Sequence, residues 1–203
     1  AKMRNLGEAC TAANRIYLHE TIEAEFTTKY VAKMAELNVG NGLDRSVDVG
    51  PLVNADTRDK VAAFVEDAVA KGAQIKLGGK VYSGKGFFYP PTVLSNVSSD
   101  ADCVHDEIFG PVAALQSFTE QADVIARAND TEYGLVAYVY TKDLKRGLQV
   151  SEALEFGMIG LNRGLVSDPA APFGGVKQSG LGREGGKEGM MEFMETQYIS
   201  TEW

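Results

Sequence analysis

The sequence is organised around one stretch near its start, Lys2-Met3-Arg4-Asn5-Leu6-Gly7-Glu8-Ala9-Cys10-Thr11-Ala12-Ala13-Asn14-Arg15. Small residues surround Cys10, so the chain can turn tightly there and leave the sulfur within reach of a ligand. A helix beginning near Cys10 would lower the pKa of the thiol through unpaired N–H groups and the positive end of the helix dipole. Taken alone, the stretch still favours a structural cysteine, because a free cysteine is usually a small buried hydrophobe.

Length and composition predict a globular protein without nucleic-acid or membrane partners. The 203 residues are 44% hydrophobic, which is enough for one sizeable domain with a buried core. A net charge of −8 and the lack of a Lys/Arg run argue against binding nucleic acid or an anionic membrane. No apolar run approaches the length of a membrane span, and the start of the chain lacks the pattern of a signal peptide. Because Cys10 and Cys103 show no disulfide spacing, we expect a cytoplasmic protein.

Apolar periodicity predicts that strands and helices alternate after the Cys10 turn. Strands are predicted at residues 15–18, 73–77, 87–94, 112–118, 134–140, 157–161 and 197–201. Helices are predicted at residues 21–37, 56–72, 119–128, 143–154 and 185–194. This alternation predicts a layered α/β fold with a largely parallel sheet flanked by helices.

The same patterns predict caps and buried faces. Asp56, with Asp59 three residues on, resembles a helix start, and Pro90-Pro91 should confine part of the 87–94 strand to an edge or a bend. Apolar spacing predicts that these helical side chains face the core: Ile22, Phe26, Tyr30, Met34, Leu144, Leu148 and Leu154.

Two later segments carry polar or glycine-rich patterns. Glu107-Ile108-Phe109-Gly110-Pro111 places a carboxylate and an aromatic ring two residues apart on a bent segment, which suits gripping a ribose and stacking a flat ring. Alone, the pattern fits a surface glutamate beside a core phenylalanine better. Residues 162–184 form a long connection with few core-forming residues, and such loops are usually functional. The G-x-G-x-x-G pattern at residues 180–185 lacks both the preceding strand and the later acidic residue of a dinucleotide site, so we reject that interpretation.

Three ordered blocks resemble the aldehyde dehydrogenase superfamily. They are Gly7-Glu8-Ala9-Cys10, Glu107-Ile108-Phe109-Gly110-Pro111-Val112, and Pro172-Phe173-Gly174-Gly175-Val176-Lys177-Gln178-Ser179-Gly180-Leu181-Gly182-Arg183-Glu184. Glu8 stands where the family usually has glutamine. In that family the cysteine lies past the middle of the chain, after a cofactor-binding domain. The resemblance therefore implies an excised catalytic region, with a catalytic domain at 1–194 and an oligomerisation strand at 195–203 that pairs with a neighbouring subunit.

The resemblance also implies the chemistry of the site. Cys10 would be the nucleophile that forms a thiohemiacetal and then a thioester. Glu107 would bind the nicotinamide-side ribose of NAD or NADP, and Phe109 would buttress the nicotinamide ring. The base glutamate, an oxyanion-hole asparagine and the main cofactor contacts come from the preceding domain in the family, so this chain alone is expected to bind no cofactor and to be inactive.

Four further residues take substrate roles by the same resemblance. Asn162 would end a strand near the nucleophile, and Phe173 would form an aromatic wall of the substrate tunnel. Arg4 and Ser167 resemble the carboxylate-binding pair of the succinate-semialdehyde dehydrogenases, a group within the family. The implied substrate is therefore an aldehyde with a distal carboxylate, such as succinate semialdehyde, in a homo-oligomeric enzyme. Ala12 occupies the position where some relatives carry a second cysteine, so no redox switch is expected.

Two alternatives stay open at this point. A cysteine hydrolase or acyltransferase would need a base, which only His19 or His105 could supply. A non-catalytic oligomerisation module would need no reactive thiol at all. Neither histidine has metal-ligand spacing with the other or with Cys10, so no metal is predicted.

Overall fold

A four-stranded sheet organises the first part of the chain. Its order is β1 (Arg15–His19), β4 (Val112–Phe118), β3 (Thr92–Ser95) and β2 (Gln74–Leu77). Strands β1, β4 and β3 are parallel, and β2 runs antiparallel to β3. The interior strand β4 begins with four apolar residues and is buried over its first five, which is typical of a strand covered on both faces.

Helices cover both faces of this sheet. Successive β4 side chains point to opposite faces, so Val112 and Ala114 enter one apolar cluster and Ala113 and Leu115 enter the other. The first cluster includes the buried face of α2 (Ala55–Ala70), and the second includes Met34 of α1 (Glu20–Ala35). A short helix, α3 (Asp102–His105), precedes β4. The predicted layered α/β arrangement is therefore confirmed.

The computed structural model describes residues 1–203, which divide into two compact units, Ala1–Arg127 and Ala128–Trp203. Helix α4 (Gln121–Asn129) contains the boundary. In the second unit, β5 (Tyr133–Gly134) pairs antiparallel with β8 (Val176–Lys177), and β6 (Val136–Val139) pairs parallel with β7 (Met158–Leu161). Two helices complete it, α5 (Leu144–Ala153) and α6 (Gly186–Met191). No helix of the chain combines the length and apolar character needed to cross a bilayer.

Several predicted details are wrong. Asn54, not Asp56, caps α2, because the Asn54 side chain accepts a hydrogen bond from the Thr57 N–H at 2.8 Å. Leu144 and Leu148, which were predicted to face the core, are 70% and 51% exposed. The side of α5 that packs against Leu161 carries Gly147 instead. Periodicity identified the apolar stripe of α5 but could not indicate whether a partner covers it.

Two predicted strands are shorter or interrupted, and one is absent from the single chain. The 87–94 strand is reduced to Thr92–Ser95, after the two prolines, and the 134–140 strand is divided at Leu135. Residues 195–203 have no regular secondary structure. Their pairing with a neighbouring subunit stays a prediction.

Candidate active site

Cys10 lies in a turn and is exposed. The Ala12 N–H donates to the Ala9 carbonyl at 2.8 Å, and no helix begins here. The reason lies in a 3-10 turn, Arg4–Gly7, in which Asn5, Leu6 and Gly7 have φ values of 46°, 49° and 87°. Three successive left-handed residues bend the chain sharply before the cysteine, and such strain is concentrated at functional sites.

The backbone before Cys10 contacts the backbone that follows Phe109. A Cβ built on Gly7 would lie 2.2 Å from the Gly110 carbonyl oxygen, so only glycine permits this approach. After the turn, the Asn14 side chain hydrogen-bonds the main chain on either side of Glu107. The structure thus brings together two of the motifs singled out in the sequence, the cysteine turn and the Glu107–Gly110 segment.

Glu107 and Phe109 are at least partly exposed, as contact with a bound dinucleotide would require. The Glu107 side chain is exposed, and its main-chain carbonyl accepts a hydrogen bond from Lys60 Nζ at 3.2 Å. An exposed carboxylate can accept hydrogen bonds from the vicinal hydroxyls of a ribose. Phe109 is half-buried with a φ of 49°, a left-handed conformation that is rare for an aromatic residue and projects the ring from a bend.

A buried lysine beneath these segments was missed from the sequence. Lys2 is only 5% exposed, and burial lowers the pKa of its amine to about 8, while the nearby Glu107 carboxylate opposes this shift. No sequence signal indicated burial, because a lysine is almost always exposed. Asn14 was also missed, although a polar residue immediately before a buried strand needs hydrogen-bond partners.

The two cysteines have opposite environments. Cys103 is fully buried, and burial raises the pKa of its thiol to about 11, with the Asp67 carboxylate adding to the shift. Cys103 therefore fits the structural cysteine described above, whereas the exposed Cys10 does not.

Glu8 and Arg4 flank the strained turn. One Glu8 carboxylate oxygen accepts a hydrogen bond from the Val53 N–H at 3.3 Å, which ties the cysteine segment to the loop before α2. A glutamine could make the same bond through its carbonyl oxygen. Arg4 is exposed at the start of the 3-10 turn.

The other predicted substrate residues lie in the second unit. Asn162 has a φ of 53°, and its amide pairs with the Thr141 backbone, accepting from the N–H and donating to the carbonyl, both at 2.9 Å. These bonds support a structural role at the end of β7, and substrate contact stays a prediction. Ser167 is half-buried.

Phe173 is held at the base of a closed loop in the second unit. Its N–H and carbonyl exchange hydrogen bonds with those of Glu184 at 2.6 and 2.7 Å. Within the loop, the Arg183 guanidinium donates to the Gly175 carbonyl at 2.8 Å. The glycine-rich connection is therefore an ordered loop that fixes the backbone of a half-buried aromatic residue.

The sequence model of the aldehyde dehydrogenase family matches residues 1–199. This chain belongs to the aldehyde dehydrogenase family. It is similar to a succinate-semialdehyde dehydrogenase of Paenarthrobacter nicotinovorans, with 54% identity over 98% of this chain and 44% of the relative. The NADP(+) succinate-semialdehyde dehydrogenase of Escherichia coli (strain K12) is 45% identical over 98% of this chain and 41% of that protein. A glutarate-semialdehyde dehydrogenase of Pseudomonas aeruginosa is 46% identical over the same share of each.

Solved structures show the same fold. A crystal structure described as an Escherichia coli NADP-dependent enzyme matches with a TM-score of 0.95 and 45% identity, over 97% of this chain and 41% of that one. A succinate-semialdehyde dehydrogenase from Burkholderia pseudomallei matches with a TM-score of 0.93 and 45% identity, over 95% and 40%. The fold implied by the resemblance is thus confirmed. The chain spans 40% to 44% of the length of these relatives.

Proposed function

We propose that this chain supplies the cysteine-bearing catalytic part of an NAD(P)-dependent aldehyde dehydrogenase that oxidises an aldehyde with a distal carboxylate. In this proposal residues 1–194 form the catalytic domain, and a cofactor-binding domain is contributed from outside them. Residues 195–203 would pair with a second subunit, since exposed strand edges favour such pairing. The proposal depends on one observation. An exposed thiol follows a strained turn, and the backbone of that turn contacts the Glu107–Gly110 segment.

Cys10 would begin the reaction. Its thiolate adds to the aldehyde carbon, forming a carbon–sulfur bond and leaving negative charge on the former carbonyl oxygen. When bound, the nicotinamide cofactor supplies the hydride acceptor. Glu107 would hold the ribose on the nicotinamide side of the cofactor, and Phe109 would buttress the nicotinamide ring. Hydrolysis of the resulting thioester needs a general base, which the resemblance assigns to the cofactor-binding domain.

Arg4 and Ser167 would select the substrate. A guanidinium binds a carboxylate through two parallel hydrogen bonds, and a hydroxyl can donate a third. Arg4 lies six residues before Cys10, in the 3-10 turn that bends the chain ahead of the cysteine. Relatives named for succinate semialdehyde and for glutarate semialdehyde support the class of ω-carboxylated aldehyde, not one chain length.

One observation weakens the hydrolase alternative. The His19 ring nitrogen Nδ1 accepts from the Thr21 N–H at 3.3 Å, and the ring packs edge-on against Phe118. His19 is therefore used to cap α1, which lowers support for a hydrolase that needs it as a base.

Both cysteines are free, which fits the cytoplasmic location that we propose.

Steady-state kinetics on the native enzyme that carries this sequence would test the proposal. Succinate semialdehyde and an uncharged aldehyde of equal length are compared in wild type and in Arg4→Ala, and Cys10→Ala serves as the inactive control. We expect kcat/KM for the charged substrate to fall about 100-fold while that for the uncharged one changes little. Equal loss for both substrates would refute the role of Arg4, and turnover by Cys10→Ala would refute the mechanism.

A further inference from the structure

Asn14 makes three hydrogen bonds to a single stretch of main chain. Its Nδ2 donates to the Cys103 carbonyl at 3.0 Å and to the Asp106 carbonyl at 3.1 Å, and its Oδ1 accepts from the Ile108 N–H at 2.9 Å. Both amide protons are thereby used. Two of the three partners are the residues immediately before and after Glu107.

The other end of the same segment is held from the opposite side of the cysteine. Gly7, three residues before Cys10, lies against Gly110 with no space for a Cβ. Asn14 follows Cys10 by four residues. The cysteine turn therefore contacts the Glu107–Gly110 segment at both of its ends, once through the close approach of two glycine backbones and once through a side-chain amide.

The segment between these contacts needs such support. Phe109 has a left-handed φ of 49°, which a side chain beyond Cβ makes unfavourable, and a conformation of this kind persists only where its surroundings hold it. Glu107 is exposed, so its own side chain adds no buried packing to the segment. The constraints on it come from Asn14, Gly7, the buried Ile108 and Lys60, which binds the Glu107 carbonyl.

We infer that Asn14 is a positioning residue that holds Glu107 and Phe109 in a fixed place relative to the Cys10 turn. The inference rests on the proposed function, in which the first two residues hold the nicotinamide end of the cofactor and Cys10 attacks the aldehyde. In this role Asn14 acts through the main chain, because all three hydrogen bonds of its side-chain amide go to backbone atoms. Without it, the thiol would keep its own turn while the cofactor-holding segment moved away from the geometry that catalysis needs.

The test compares Asn14→Ala with a matched control in the native enzyme. Asn129→Ala is that control, because Asn129 makes a similar pair of long-range bonds, donating to the Ala153 carbonyl and accepting from the Glu155 N–H, both at 2.9 Å. Three quantities are measured: the KM for NAD(P)+, the rate of Cys10 alkylation by iodoacetamide without cofactor, and deuterium exchange over residues 106–110. Asn14→Ser, which keeps one donor, is made in parallel.

We expect the KM of Asn14→Ala to rise about tenfold, with a smaller rise for Asn14→Ser, while alkylation of Cys10 stays within about twofold. Exchange over residues 106–110 should become faster in both. Asn129→Ala should change neither the KM nor this exchange, even where it lowers the melting temperature equally.

Each other outcome overturns the inference. An unchanged KM despite faster exchange would mean that the bonds stabilise the segment without serving the cofactor. Equal KM changes in Asn129→Ala, or failure of both Asn14 variants to fold, would leave Asn14 a folding residue only. Absence of aldehyde oxidation in wild type is a separate result, since it refutes the proposed function before any variant is compared.

Discussion

At Cys10 and Cys103 the same side chain has two chemical characters within one protein. Cys10 is exposed on a turn, while burial raises the pKa of Cys103 to about 11. At pH 8 about one Cys103 in a thousand would be thiolate even if it were reachable. We predict that DTNB titrates one thiol rapidly in the folded chain and the second only after denaturation. Loss of the rapid phase in Cys103→Ala, rather than in Cys10→Ala, would contradict this assignment.

Gly7 is the residue whose replacement should be least tolerated. Alanine there would combine a φ of 87° with a Cβ 2.2 Å from the Gly110 carbonyl oxygen, so the two backbones would have to separate. We predict that Gly7→Ala lowers the free energy of unfolding by roughly 3 kcal/mol or more, measured by urea denaturation. Gly42→Ala is the control, because a Cβ at Gly42 meets nothing within 4 Å. Similar small losses in both variants would show that the contact is not tight.

The residues at which prediction failed share a cause. Gly7 and Cys10 were recognised from their motif, but the sharp bend before Cys10 was not, because it depends on left-handed conformations of Asn5 and Leu6. Asparagine adopts a positive φ more often than most residues, but leucine rarely does, so the sequence did not indicate two such residues in succession. Asn14 was passed over because its partners lie about 90 residues further along the chain, beyond any local pattern.

Among the secondary-structure elements, α2 offers a direct test of where a helix begins. The Asn54 side chain caps the helix, whereas Asp56, the residue that the sequence favoured, lies inside its first turn. We predict that Asn54→Ala lowers the free energy of unfolding by about 1 kcal/mol. Asp56→Ala should cost less, because it removes only an attraction to the helix dipole. Urea denaturation of the two variants would decide, and a larger loss for Asp56→Ala would reverse the assignment.

An element could be predicted well where the residues that fix it are close to it in the sequence. Strand β4 was predicted with its observed bounds, because an apolar run that directly follows Gly110-Pro111 is most simply a buried strand. Helix α5 was predicted within a residue at each end, since Asp143 caps it by accepting from the Arg146 N–H at 3.1 Å. Its buried face was wrong, because burial depends on neighbouring elements that periodicity does not describe.

On the scale of the whole molecule, Lys2 couples stability to pH. Its pKa is about 8 in the folded chain and 10.5 ordinarily, so between these values the unfolded chain holds a proton that the folded chain lacks. Stability therefore rises with pH across this window, by up to about 3 kcal/mol for this group. Below pH 8 the full cost of burying the amine is present.

The effect of Lys2 is isolated by comparing the free energy of unfolding of wild type with that of a Lys2 variant. This comparison is needed because Cys103, Tyr30 and Tyr89 titrate with raised pKa values in the same alkaline range. Lys2→Met removes only the amine. We expect Lys2→Met to be more stable than wild type at pH 7, and the gap to shrink by about 3 kcal/mol by pH 10.5. Urea denaturation at pH 7, 9 and 10.5 measures this, and a gap that does not vary with pH would mean that Lys2 is solvated.

The class of fold followed from the alternation of elements, but the division into two units did not. A single core was expected from length and hydrophobic content, whereas the chain divides at Arg127, within α4. Composition measures how much apolar surface must be buried and carries no information on how many separate clusters bury it.

The hydrogen bond between Asn14 and Ile108 joins residues 94 positions apart. During synthesis the cysteine turn leaves the ribosome long before the segment that it contacts, and contacts so distant in sequence close slowly. Cys10 therefore lacks the native contacts of its turn until translation has passed residue 110. In the proposed function, its reaction with an aldehyde would therefore begin only after the surrounding strands have been synthesised.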